Sequence, residues 1–121
     1  MTWRILVVED DPDGQEVVAR MLRHHKIPAD VVYSAEEGLE LLSQHDYTGV
    51  ITDLALPGMD GWNLLATMQI TPHTSRLPCV AITAYHSAEV AVKAIEAGFT
   101  AYFSKPLEPT SFVQELQRAL D

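Results

Sequence analysis

Cysteine, positive charge and long apolar runs are all scarce in this sequence. The single cysteine, Cys79, sits in the apolar stretch LPCVAIT. It has no partner for an internal disulfide, so nothing points to an oxidising compartment, and Cys79 reads as a small core residue. Lys and Arg number 8 against 17 Asp and Glu, leaving a formal net charge of -9. A nucleic-acid-binding surface needs a basic patch, and this balance argues against one. It suits cations or basic partner surfaces instead. No apolar run approaches the ~20 residues of a membrane span. The start, MTWRILVVED, lacks the apolar core of a signal peptide. These absences predict a cytoplasmic protein that touches no membrane. Low-complexity tracts and internal repeats are missing too. So is a glycine-rich phosphate loop after the first apolar run, which argues against a nucleotide or flavin pocket. The histidines, His24, His25, His45, His73 and His86, show no metal-ligand spacing and read as solvated or packing residues, although His86 lies just past a candidate site residue.

What is present is a regular alternation. The 121 residues, 47% of them hydrophobic and 21% charged, predict one globular domain over 1–121. Short β-branched apolar runs at 3–8, 29–34, 49–53, 78–83 and 101–104 read as buried strands. Amphipathic segments follow each of them. In the first, Val17, Val18, Met21 and Leu22 share one helical face, and Pro12 suits the first turn. Ser34 to Glu37 is a capping-box pattern that opens a helix through about Gln44. The third helix runs from about Gly61 to Ile70 with Leu64, Leu65 and Met68 inward. Ser87 caps the fourth, which Gly98 stops. After Pro109 the fifth runs to Asp121 with Phe112, Val113, Leu116 and Leu120 inward. Five strand–helix units imply an α/β, flavodoxin-like (βα)5 doubly wound fold. Its five-stranded parallel sheet, in the order 2-1-3-4-5, has helices on both faces. A site is then expected outside the carboxyl ends of strands one and three.

Polar residues stand at those ends. Glu9, Asp10 and Asp11 follow strand one, Asp53 ends strand three, Thr83 ends strand four, and Lys105 follows strand five. Each has an ordinary reading. An acid after a strand is often a helix N-cap, and Asp11 before Pro12 fits that role. For Asp53 the intervening Leu54, Ala55 and Leu56 make it a poor cap, and Asp60 is better placed. Thr83 alone is a β-former, and Lys105 alone is a solvated charge. Together they form a set with its own chemistry. Carboxylates crowded in one crevice repel, which raises pKa values or recruits a cation. Oxygen-only ligands favour Mg²⁺ or Ca²⁺. A carboxylate can also attack phosphorus to form an aspartyl phosphate, with lysine and hydroxyl groups clamping the phosphoryl oxygens.

The set resembles the receiver domain of two-component response regulators. The matching motifs are ILVVEDD at the first strand, DLALPGMDG after the third, TA at 83–84 and KP at 105–106, and the resemblance spans essentially the whole chain. It implies Asp53 as phosphoacceptor. Mg²⁺ would be held by Asp10, by Asp53, by the Ala55 carbonyl and, through water, by Glu9. Thr83 and Lys105 would contact the phosphoryl group. Lys105–Pro106 would be a cis peptide, and Tyr102 would be an aromatic switch moving with Thr83. The implied donor is a sensor histidine kinase or histidine phosphotransfer protein. The implied output is a surface on the fourth helix, fifth strand and fifth helix that selects a downstream effector. Such a domain is not an enzyme in its own right, although it assists its own phosphorylation and dephosphorylation. Glu9 stands where many members carry Asp, and Ala55 offers no side chain to the phosphoryl group.

Two alternatives are weighed against this. VEDDPDGQ loosely resembles the Asp-x-Asp-Gly-Thr motif of haloacid-dehalogenase-like phosphatases through Asp11, Asp13 and Gly14. However, Gln15 replaces the threonine, no acidic pair follows Lys105, and the chain lacks length for a cap domain. A receiver used only for docking, without phosphorylation, is the other. The complete set of strand-end residues argues against it.

Overall fold

The structure, a computed structural model, describes residues 3–120. Strands β1 (Ile5–Val8), β2 (Ala29–Val32), β3 (Gly49–Asp53), β4 (Cys79–Thr83) and β5 (Ala101–Ser104) alternate with helices. These are α1 (Pro12–His24), α2 (Ala35–Gln44), α3 (Gly61–Ile70), α4 (Ala88–Ala97) and α5 (Pro109–Leu120). The strands form one parallel sheet in the order β2-β1-β3-β4-β5. Every residue of β1, β3 and β4 is buried, which is why these segments are apolar on both faces rather than alternating. Successive side chains serve opposite layers. Leu6, Val8, Val50, Cys79 and Ala81 pack with Leu42, Leu64, Met68 and Ala94 of α2, α3 and α4. Ile5, Val7, Ile51, Val80 and Ile82 pack with Val18, Leu22, Phe112 and Leu116 of α1 and α5.

The helix ends are set by side chains, each such cap being worth about 1 kcal/mol. Asp11 accepts from the Gly14 N–H at 3.3 Å, Ser34 from Glu37 at 3.1 Å, Asp60 from Asn63 at 2.9 Å and Ser87 from Val90 at 3.1 Å. Gly98 ends α4 with φ 116°, a left-handed conformation that glycine adopts without a Cβ penalty. The fifth helix starts at Pro109 itself. Its cap is Glu108, whose carboxylate accepts from Thr110 N–H at 3.2 Å and Ser111 N–H at 2.6 Å. Those backbone bonds, from Ser111 first, hold the Glu108 carboxyl below its ordinary pKa.

Several expected boundaries move. The first strand begins at Ile5 rather than residue 3, because the ladder starts where Ile5 N–H reaches the Pro28 carbonyl. The second ends at Val32, beyond which Tyr33 is exposed and Ser34 turns to cap α2. The fourth starts at Cys79, since Pro78 has no N–H to donate, although its carbonyl still accepts from Val50. Val17, expected inward, is 46% exposed because α1 turns a narrower stripe of Val18, Met21 and Leu22 to the sheet. Leu120 is half-buried, and Asp121, expected in the last helix, lies outside the described residues. Among the described residues no helix is long and apolar enough to cross a membrane.

Candidate functional site

The sheet order places β1 beside β3, so the residues that follow Val8 meet the residue that ends β3. Asp53 closes β3 opposite Ile82, and Thr83 closes β4 opposite Ser104, one residue before Lys105. This is the carboxyl edge of the strands, at the point where the winding of the sheet reverses.

Glu9, Asp10 and Asp53 each bring a carboxylate oxygen within 4.8 Å of the others. Glu9 is fully buried, Asp53 is 6% exposed, and Asp10 is open to solvent. One oxygen of Asp53, Oδ1, accepts the Ala55 N–H at 2.9 Å. The other, Oδ2, accepts from Lys105 Nζ at 2.6 Å, and the same ammonium also donates to Glu9 Oε1. Glu9 Oε2 is buried without a hydrogen-bond partner. A buried, unpartnered carboxylate oxygen beside two more acids is a costly arrangement unless a proton or a cation joins it. Burial pushes the Glu9 carboxyl up to about 7, with the nearby Asp53 charge adding to the rise against the pull of Lys105. For Lys105, burial favours the neutral form, but the hydrogen bonds it donates to Asp53 and Glu9 outweigh it and raise its pKa. The ammonium is held charged between two acids.

Thr83 is buried, and its Oγ1 accepts the Tyr85 N–H at 3.0 Å. Tyr102 is half-buried on β5, and its hydroxyl lies 3.0 Å from His86 Nδ1. The Lys105–Pro106 peptide is cis. An open crevice beside the acids is walled by Asp10, Leu56, Asp60, Trp62, Thr83 and Tyr85. The structure therefore brings together Glu9, Asp10, Asp53, Ala55, Thr83 and Lys105. It leaves Asp11 and Asp13 outside that group, both exposed in the first turn of α1 or its cap. Two features were missed in the sequence. Gln15 donates its side-chain amide to the Glu9 carbonyl at 2.7 Å and, more weakly, to the Val32 carbonyl at 3.4 Å, tying together the ends of β1 and β2. His86 is the other, through its contact with Tyr102. Neither sits in a motif, and both contacts depend on strand pairing.

Fold and site together define a class: a doubly wound α/β domain with an acid pocket and a lysine at the switch point of its sheet. Residues 5–117 match the response regulator receiver domain family, and the chain belongs to it. It is accordingly a signalling module of the two-component type. The chain is 35% identical to the transcriptional regulatory protein HprR of Escherichia coli, covering 95% of this chain but 49% of that protein. It is 34% identical to a 14.6 kDa protein of Leptolyngbya boryana over 94% of this chain and 87% of that one. Among solved structures, it resembles the receiver domain of the sensor histidine kinase PA1611 from Pseudomonas aeruginosa, with a magnesium ion coordinated in its active-site cleft. That match has a TM-score of 0.89 and 26% identity over 99% of this chain and 98% of that one. A CheY-like receiver domain protein from Methanospirillum hungatei matches at a TM-score of 0.89 and 26% identity, covering 100% of this chain and 95% of that one. The chain thus spans about half the length of HprR and 24% of the response regulator FleR of Pseudomonas aeruginosa.

Proposed function

We propose that residues 1–121 act as one cytoplasmic receiver unit in which Asp53 accepts a phosphoryl group from a partner phosphohistidine. The observation that carries this reading is the pairing of Asp53 with Lys105 at 2.6 Å, beside Glu9 and Asp10, at the carboxyl edge of the sheet. In the transfer, the Asp53 carboxylate forms an oxygen–phosphorus bond as the nitrogen–phosphorus bond of the donor breaks. The departing imidazole keeps the electron pair of that bond and takes up a proton. Ala55 N–H holds one Asp53 oxygen in place while the other accepts from Lys105. Lys105, already seated between Asp53 and Glu9, follows the negative charge onto a phosphoryl oxygen. Thr83 turns its hydroxyl from the Tyr85 N–H to another.

The donor set suits Mg²⁺. It is all oxygen, and the unpartnered Glu9 Oε2 marks where positive charge is wanted. Asp10, Asp53 and the Ala55 carbonyl would hold the ion directly and Glu9 through water. When bound, Mg²⁺ neutralises charge on the phosphoryl oxygens. The same groups assist hydrolysis of the acyl phosphate, so the domain catalyses its own phosphorylation and dephosphorylation. The donor is a sensor histidine kinase or a histidine phosphotransfer protein. The aspartyl phosphate biases a two-state surface on α4, β5 and α5, with Tyr102 as its aromatic element and exposed Val92 and Ile95 on α4 available to a downstream effector.

Incubation with acetyl phosphate and Mg²⁺, followed by intact mass measurement, tests this. A single phosphate-sized gain that needs Mg²⁺ and is lost in Asp53→Asn is expected. No gain, or a gain that persists in Asp53→Asn and disappears in Asp11→Asn, overturns it.

A further inference from the structure

The site and the surface around Tyr102 are joined by a short hydrogen-bonded path. Thr83 pairs with Ser104 and Ala81 with Tyr102 across β4 and β5, so Thr83 and Tyr102 project from the same face of the sheet. Ala81, fully buried, puts only a methyl group beside the Tyr102 ring. The loop that leaves β4 is gripped twice in succession. The Tyr85 N–H is held by the Thr83 hydroxyl at 3.0 Å. The next residue, His86, meets the Tyr102 hydroxyl at 3.0 Å through Nδ1, with the two rings 5.7 Å apart and tilted by 39°. Tyr85 and His86 are otherwise exposed. A phenol both donates and accepts, so either tautomer of the imidazole keeps the bond.

We propose that His86 is a positioning residue that latches Tyr102 with its hydroxyl at the surface, and that recruitment of the Thr83 hydroxyl to a phosphoryl group on Asp53 releases the latch through Tyr85. This rests on the reading of Asp53 as acceptor and of Thr83 and Tyr102 as a switch pair, and it adds what opposes the switch at rest. A single net hydrogen bond shifts a two-state balance by roughly threefold to tenfold. Loss of the latch therefore predisposes the protein to its phosphorylated form without touching any group in the acid pocket.

The test uses the full chain labelled with 3-fluorotyrosine, the Tyr102 line being assigned by its absence in Tyr102→Phe. Beryllofluoride with Mg²⁺ serves as a stable phosphoryl mimic. In the wild type the Tyr102 line moves on saturation. In His86→Phe, which keeps an aromatic ring beside Tyr102 but no nitrogen, the free protein's line already lies part of the way there. The half-saturating beryllofluoride concentration falls by roughly threefold to tenfold. His86→Asn, with a hydrogen-bonding group close to where Nδ1 sits, keeps the wild-type line. A His86→Phe line and half-saturation identical to wild type overturn the latch while leaving the switch intact. A wild-type Tyr102 line unmoved by beryllofluoride that binds at Asp53, as shown by loss of binding in Asp53→Asn, overturns the switch and the latch together.

Discussion

Lys105→Met removes the one charge that the structure places between two buried acids, and its effect can be worked out from the geometry. The methionine keeps the unbranched apolar stem of the lysine as far as Cε and lacks only the ammonium. It leaves Glu9, fully buried, facing Asp53, 6% exposed, with no cation between them. Breaking a buried ion pair from one side costs about 3–5 kcal/mol. The Lys105 side chain is 23% exposed, so solvent screens part of this, and a loss of about 2–3 kcal/mol is expected for metal-free protein near pH 8. That is a large fraction of the ~5–15 kcal/mol that holds a domain of this kind together. The pH dependence has a definite sign. Burial already pushes Glu9 up to about 7, and removing the ammonium pushes it further. Lowering the pH to about 5 protonates Glu9 in the variant, removes its repulsion with Asp53 and shrinks the deficit. Mg²⁺ shrinks it too, by restoring positive charge. Urea unfolding in chelator at about pH 8, in chelator at about pH 5 and with Mg²⁺ in place of chelator, followed by the fluorescence of Trp3 and Trp62, measures all three conditions. A loss below about 0.5 kcal/mol, or a loss indifferent to both pH and Mg²⁺, refutes the reasoning.

Two other perturbations probe the frame around the site. Gly61 opens α3 directly behind Asp53. A Cβ there would strike the Asp53 carbonyl and come within 2.9 Å of the Leu54 Cα. Gly61→Ala is therefore expected to cost about 1–3 kcal/mol in thermal or urea unfolding and to slow reaction with acetyl phosphate, although alanine is the better helix former. At the opposite end of the sheet, Asp30 accepts from the Tyr47 hydroxyl and the Arg4 guanidinium, each at 2.7 Å, and the Tyr47 bond in particular lowers its pKa. A depressed carboxyl stabilises the fold above its unfolded pKa and loses that contribution as pH falls through the folded one. Asp30→Asn should therefore be less stable than wild type at neutral pH, with the gap closing in acid unfolding curves below about pH 4. A gap of constant size would contradict the pairing.

The sheet was legible because three of its strands are buried on both faces and so appear as unbroken apolar runs in the sequence. Ser34, Asp60 and Ser87 were legible as caps because capping depends on neighbours three residues away. The site's membership was legible because the acids, Thr83 and Lys105 all stand at strand ends, where a doubly wound sheet collects its polar groups. What escaped depends on pairing across the sheet. Gln15 is an unremarkable helical residue until β1 and β2 align to present the Glu9 and Val32 carbonyls to it. His86 and Tyr102 are 16 residues apart and meet only because β4 and β5 run side by side. The orientation of Val17 was misjudged because a helical face read from periodicity is wider than the stripe that α1 buries. Glu108 was overlooked as a cap because glutamate is less common in that role than serine or aspartate.

The central claim is that Asp53 carries the phosphoryl group, and chemical trapping tests it at residue level. Borohydride reduces an aspartyl phosphate to homoserine. After reaction with acetyl phosphate and Mg²⁺, reduction and peptide mapping should therefore find homoserine at position 53 and unmodified aspartate at positions 10, 11 and 13. Homoserine at any of those three with Asp53 intact would contradict the account.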